Sequence, residues 1–288
     1  MKVMRVFVTG VFGVLLSLSS CEKKSVTETV DSVTDSDVTT ASDNGLAESV
    51  FGDVENIADQ ASEGQLISFI PEVNFNGSKP ISHQKSSCAI ITHDTTSSPR
   101  LLTIDFGTSN CLCNDGKNRR GEILVSYEGR YRDTGSVHTI SFNNYFVNDN
   151  QVMGSKSVTN NGVNSSNKIN FSIEVDGKLI KANTSDTIVW ISSRTRTWQE
   201  GDSTLINRLD DVYSITGTCS GVNSAGVSYS ANITSPLIRA LNCRWFESGT
   251  LEITPQGKLT RILDYGLGEC DANATVTISG LSFPIVLP

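Results

Sequence analysis

The rhythm of apolar and polar positions changes three times along this chain. Val6 to Leu18 form an apolar run, interrupted only by Thr9, Gly10, Gly13 and Ser17, behind two cations, Lys2 and Arg5. About thirteen residues are too few to span a bilayer as a helix, which takes about twenty, so residues 1–20 are read as a secretory signal. Between Leu46 and Ala61 the apolar residues Leu46, Val50, Val54, Ile57, Ala58 and Ala61 recur at helical spacing. With Asp43 or Asn44 as cap and Gly64 as stop, this predicts one amphipathic helix over 44–64. From Leu66 onward the period falls to two, as in Ile123/Val125/Tyr127, Ile188/Trp190 and Leu251/Ile253.

Turn residues punctuate those alternating runs. Asp133-Thr134-Gly135, Asn148-Asp149-Asn150, Asn223-Ser224-Ala225-Gly226 and Thr254-Pro255-Gln256-Gly257 each separate two of them. Asp176-Gly177, between Phe171/Ile173/Val175 and Leu179/Ile180, reads as a type I′ hairpin turn, which requires positive φ at both central residues. The expected fold is all-β: one antiparallel meander over 65–288, with about eight to eleven strands in a curved sheet or barrel. The helix would cover an open face or end of it. About 210 residues suffice for one substantial core.

Charge changes this picture. Of the net −8, residues 22–75 carry twelve acids against Lys23 and Lys24, whereas residues 76–288 hold nineteen groups of each sign. A neutral domain with no clustered cationic face argues against a nucleic-acid partner. Ser25 to Asp43 is built from Thr, Ser, Val and Asp without an aromatic residue, too polar to offset its ordering entropy. Residues 21–43 are therefore expected to be a disordered acidic tether.

Leu18-Ser19-Ser20-Cys21 resembles a lipobox, the aliphatic and small residues that precede a cysteine diacylated before the signal is removed. The resemblance implies a lipid on Cys21 and a membrane as partner, because several acyl chains at about 0.8 kcal/mol per buried CH₂ make attachment effectively permanent. Glu22, where an aspartate would retain the protein at the inner membrane, implies the outer membrane.

Two stretches of the β region echo each other. Leu101-Leu-Thr-Ile-Asp105-Phe106-Gly107, running on to Cys111, parallels Leu259-Thr-Arg-Ile-Leu263-Asp264-Tyr265-Gly266, running on to Cys270. Each is preceded by another cysteine, Cys88 or Cys243. These blocks, at Thr103 to Gly121 and Asp264 to Gly280, resemble a family of uncharacterised lipoproteins of Bacteroidota; Asn144 to Asn148, Arg194 to Trp198 and Asp210 to Tyr213 match between them. The resemblance implies a lineage and a fold, and no activity. Equivalent cysteines should pair equivalently if each stretch folds back as adjacent strands, bringing the Cα atoms within disulfide range. That predicts Cys88–Cys111 and Cys243–Cys270 and leaves Cys113 to reach Cys219, with an exchange of partners between Cys111 and Cys113 as the alternative.

Candidate chemistry is sparse. His83, His93 and His138 lie at no metal-ligand or nucleophile-base spacing, and Asp210-Asp211 reads as a solvated turn before it reads as an acid/base pair. The Gly116 and Glu122 offsets mimic a calcium loop, but cysteines at 111 and 113 occupy positions where Ca²⁺ needs oxygen ligands. A Cys-x-Cys redox site is outweighed by structural disulfides in an oxidising compartment. Asp31-Ser32-Val33, Asp94-Thr95-Thr96, Asp186-Thr187-Ile188 and Asp202-Ser203-Thr204 resemble the short O-glycosylation sequon of Bacteroidota. Arg194, Arg196 and Trp198 alternate on one strand face, so they form a candidate ligand surface for a glycan or acidic ligand, against an exposed cross-strand ladder. No metal or cofactor is expected. The reading is a non-catalytic, lipid-anchored envelope protein with a protein or glycan partner; the alternatives are a carrier holding an amphiphile in an apolar cavity, or a glycan-active enzyme.

Overall fold

The computed structural model describes residues 35–62, 88–113, 115–204 and 207–287. The signal, Cys21, residues 21–34 of the tether, Gly64 and His83 lie outside them. Among the described residues, one helix, α1 (Asp35–Ser62), precedes fourteen strands. These are β1 (Ile90–Asp94), β2 (Arg100–Asp105), β3 (Cys111–Leu112), β4 (Asn118–Glu128), β5 (Val137–Val147), β6 (Asn150–Val163), β7 (Ile169–Ile180) and β8 (Thr187–Glu200). β9 (Val212–Val222), β10 (Ser228–Ala240), β11 (Ser248–Pro255), β12 (Arg261–Leu267), β13 (Asn273–Ile278) and β14 (Leu281–Val286) complete the sheet.

The strands pair antiparallel in chain order, with only the two-residue β3 off the path, on β4. This is the meander expected, as an open curved sheet with β1 and β14 at its edges. Fourteen strands exceed the eight to eleven predicted because the flanks fold back often: β1, β2, β13 and β14 are only five or six residues long. The β5–β6 hairpin turns at Asn148 and Asp149, with φ of 48° and 63°, the primed geometry that matches the strand twist.

Both echoing stretches fold alike. Asp105 accepts the backbone N–H of Gly107 at 2.7 Å where β2 ends, and Asp264 accepts that of Gly266 at 2.9 Å within β12. The aromatic between them, Phe106 or Tyr265, is buried. The disulfides Cys88–Cys111 and Cys243–Cys270 form with Cα separations of 5.6 and 5.7 Å.

Three expectations change. First, Asp176-Gly177 is no turn: β7 runs straight through it. The glycine is there for close approach, since a Cβ on Gly177 would lie 2.2 Å from Cζ of Phe51 on α1. Second, Cys113 and Cys219 are buried free thiols rather than a third disulfide. Each is engaged locally, Cys113 with the carbonyl of Cys111 and Cys219 with Asn44. Third, α1 begins at Asp35, inside the stretch read as tether. Thr40 accepts from Asn223 at 2.8 Å and Asp43 accepts the backbone N–H of Ser224 at 2.7 Å, contacts from the β9–β10 turn that a local reading cannot foresee.

Nor does α1 lie on the sheet as an amphipathic helix with one wet side. It contacts β2, β4, β5, β8 and β11, so the sheet curves around it. Ala47, Val50, Val54, Ile57, Ala58 and Ala61 are buried, and so are Asp43, Asn44, Glu48, Glu55 and Asp59. A helix polar on one side can be enclosed in this way only if the surrounding strands supply partners for its charges.

Candidate functional site

Those partners come from inward positions of the strands and, for Lys117, Lys181 and Arg208, from the connections beside them. On β8, Ile188, Trp190, Ser192, Arg194, Arg196 and Trp198 face the helix, and Ile191, Ser193 and Thr195 face outward. Period two thus holds as read, but the face is reversed: Arg194, Arg196 and Trp198 are 5%, 6% and 2% exposed and form no surface for an outside ligand. The cationic and aromatic residues are inside because an acidic helix is their neighbour.

Along α1 the pairs form a ladder. Asp43 meets Lys181 Nζ at 3.1 Å, and Glu48 Oε1 meets Arg194 Nη2 at 3.1 Å. Asp53 accepts from Arg119 at 2.6 Å, with Lys117 at 3.5 Å, and Arg119 also holds Asp115 at 2.6 Å. Glu55 bridges Lys156, at 2.5 Å, and Arg196. Asp59 stands 3.6 Å from Arg208 and 3.9 Å from Arg196. Between the acids, Asn44 Oδ1 accepts from Trp190 Nε1 at 3.0 Å and Tyr229 Oη at 3.3 Å.

Protonation follows the pairing. Burial alone would raise the Asp53 carboxyl, but Arg119 and Lys117 outweigh it and hold it at about 2. Glu55 is likewise lowered against its burial by Arg196, Lys156 and Arg208. Arg196 also lies over the rings of Tyr213, at 4.5 Å, and Phe171, at 4.9 Å. Arg132 covers Trp198 at 4.3 Å.

The remaining sequence candidates are scattered. His93 bonds to the Tyr127 hydroxyl, whereas His138 is buried beside Tyr127 and Tyr131, and burial pushes it down to about 4. Asp210 accepts from the Thr204 hydroxyl at 2.9 Å. Asp211 is buried, accepts from Tyr213 Oη at 3.3 Å, and is raised by burial to about 6 against Arg208 and Arg132. Burial raises both free thiols, Cys219 to about 11, which keeps them protonated and poorly nucleophilic. Lys117, Arg119 and Lys156, central to the ladder, escaped the sequence reading. Their one trace there is the charge asymmetry, an acidic N-terminal stretch beside a domain with nineteen cations.

One cavity, of about 100 Å³, remains beside α1. Its helical wall sets the small residues Gly45, Ser49 and Gly52 among Glu48, Phe51 and Glu55; β8 and residues 239–246 form much of the rest. No family model, no curated protein and no solved structure matches this chain.

Proposed function

We propose that the chain is a lipid-anchored lipoprotein of the bacterial outer membrane whose β domain is a non-catalytic binding or structural module. The reading rests on Cys21 in its lipobox-like setting and on the resemblance of the Asp-aromatic-Gly-Cys blocks to uncharacterised Bacteroidota lipoproteins. The observation that supports a non-catalytic role is the helix-filled interior. The concavity a curved sheet offers to a ligand is occupied by α1, whose acids Asp43, Glu48, Asp53, Glu55 and Asp59 are all engaged by cations of the strands or of the connections between them. Glu48 and Glu55, the carboxylates lining the cavity, are both ion-paired, which leaves a glycan-active centre without a free acid there. About 100 Å³ walled partly by cations also does not suit an acyl chain.

The anchor is tested by metabolic labelling with an alkyne fatty acid. The chain should take up label and sediment with membranes, and Cys21→Ala should lose both properties. Label persisting on that variant would overturn the lipid-anchor reading.

A further inference from the structure

The cavity beside α1 has more positive than negative groups in its wall. Lys156, Arg194, Arg196, Arg239 and Arg244 line it against Glu48 and Glu55. Glu55 takes up Lys156 and Nη1 of Arg196, whose buried Nε and Nη2 make no hydrogen bond and whose nearest further acid is Asp59 at 3.9 Å. Arg194 spends only Nη2 on Glu48, leaving its buried Nε and Nη1 without partners. Arg239 donates to the backbone carbonyl of Arg244 and has no carboxylate within ion-pair distance among the described residues. Arg244 Nε, Ser192 Oγ and Tyr265 Oη are also buried without a partner. The unpartnered N–H groups of Arg194 are costly out of water, and at half-buried Arg239 desolvation lowers the guanidinium to about 10, more than the Asp53 and Glu247 charges restore.

The space exists because the helix is small where it faces these arginines. A Cβ on Gly52 would meet nothing within 4 Å. A glycine inside a helix costs about 1 kcal/mol relative to alanine, so here it is the open space, not local helix stability, that the residue serves.

We propose that this cavity is a binding site for a small hydrogen-bearing oxyanion, with hydrogen phosphate as the fitting chemistry, held by Arg194, Arg239 and Arg244. Guanidinium forks match the oxygens of phosphate and carboxylate and gain strength where water is excluded. Glu48 supplies selectivity. Its Oε2 is buried and unpartnered, so it accepts the hydroxyl of hydrogen phosphate and repels sulfate, which carries no proton at neutral pH. The inference stands on the interior alone and does not depend on the lipid anchor.

The test uses the full chain in detergent, titrated calorimetrically with inorganic phosphate, sulfate and chloride at constant ionic strength. Phosphate should bind saturably with one site per chain and raise the melting temperature, and sulfate should bind at least tenfold more weakly. Arg239→Gln should weaken phosphate binding tenfold or more, Glu48→Gln should erase the preference over sulfate, and Gly52→Leu should fill the space and abolish binding. Methyl phosphate separates two sources of the same chemistry: competition as strong as that of phosphate indicates a phosphorylated organic ligand, and failure to compete indicates the free ion. No saturable phosphate signal above chloride, or undiminished binding in both Arg239→Gln and Gly52→Leu, would overturn the proposal.

Discussion

The two sides of α1 balance charge differently. Toward β4, β6 and the inward end of β8, every helix acid meets a cation at contact distance: Asp53 with Arg119 and Lys117, Glu55 with Lys156 and Arg196. Toward the cavity the helix shows Gly45, Ser49 and Gly52 between Glu48 and Glu55, and Arg239 and Arg244 across it have no carboxylate at ion-pair distance among the described residues. The matched side is a lock: its ions are stable in a poorly hydrated interior because each has a counter-ion within reach. The unmatched side leaves room and positive charge. One helix therefore both fills the sheet's interior and shapes the gap beside it.

The comparison can be broken hardest at Glu55. Glu55→Ala leaves Lys156 and Arg196 buried around an empty position, and removing one partner of a buried ion pair typically costs about 3–5 kcal/mol. Guanidinium denaturation should report a loss of that size; a change below about 1 kcal/mol would mean the lock does not hold the helix. The packing against β7 is the next test. Gly177→Ala drives a methyl into a Phe51 ring that is already stacked on Trp190 at 5.7 Å, an overpacking cost of up to about 3 kcal/mol. In a Phe51→Ala background the same substitution should cost much less, and equal costs in the two backgrounds would separate the glycine from the helix.

The smallest effect expected is one of pH. The Asp53 carboxyl lies at about 2 in the folded chain against an ordinary 3.8. Its ionised form is the one the fold favours, so its contribution is complete above about pH 4 and is lost as pH falls through 2, amounting to about 2 kcal/mol in all. Asp53→Asn should flatten stability measured between pH 4 and pH 2 by about that amount. An unchanged profile would show that Arg119 is satisfied by Asp115 alone.

Much of the architecture could be read from the residues because it depends on short-range or covalent rules. Alternation gave the strands, Asn148-Asp149 gave a turn, and the repeated Asp-aromatic-Gly-Cys pattern gave both disulfides. Asp176-Gly177 shows where such rules stop. As a dipeptide it is a turn signal, and what makes it a strand segment is the ring of Phe51, a residue 126 positions earlier in the chain.

The candidate site was legible only in its components. Period two places Arg194, Arg196 and Trp198 on one face, but it says nothing about whether that face meets water or another element. Polar residues on both sides of β8 leave the choice open, and in the folded chain the acids of α1 decide it, since Glu48 and Arg194 lie 146 residues apart in sequence. The residues by themselves determine the alternating strands, the two repeat-related cysteine pairs and the surplus of acid at the N-terminus. Only the tertiary structure decides that this acid is the counter-charge of the sheet's interior, because the free energy of a buried ion depends on the distance to its partner and not on their order along the chain.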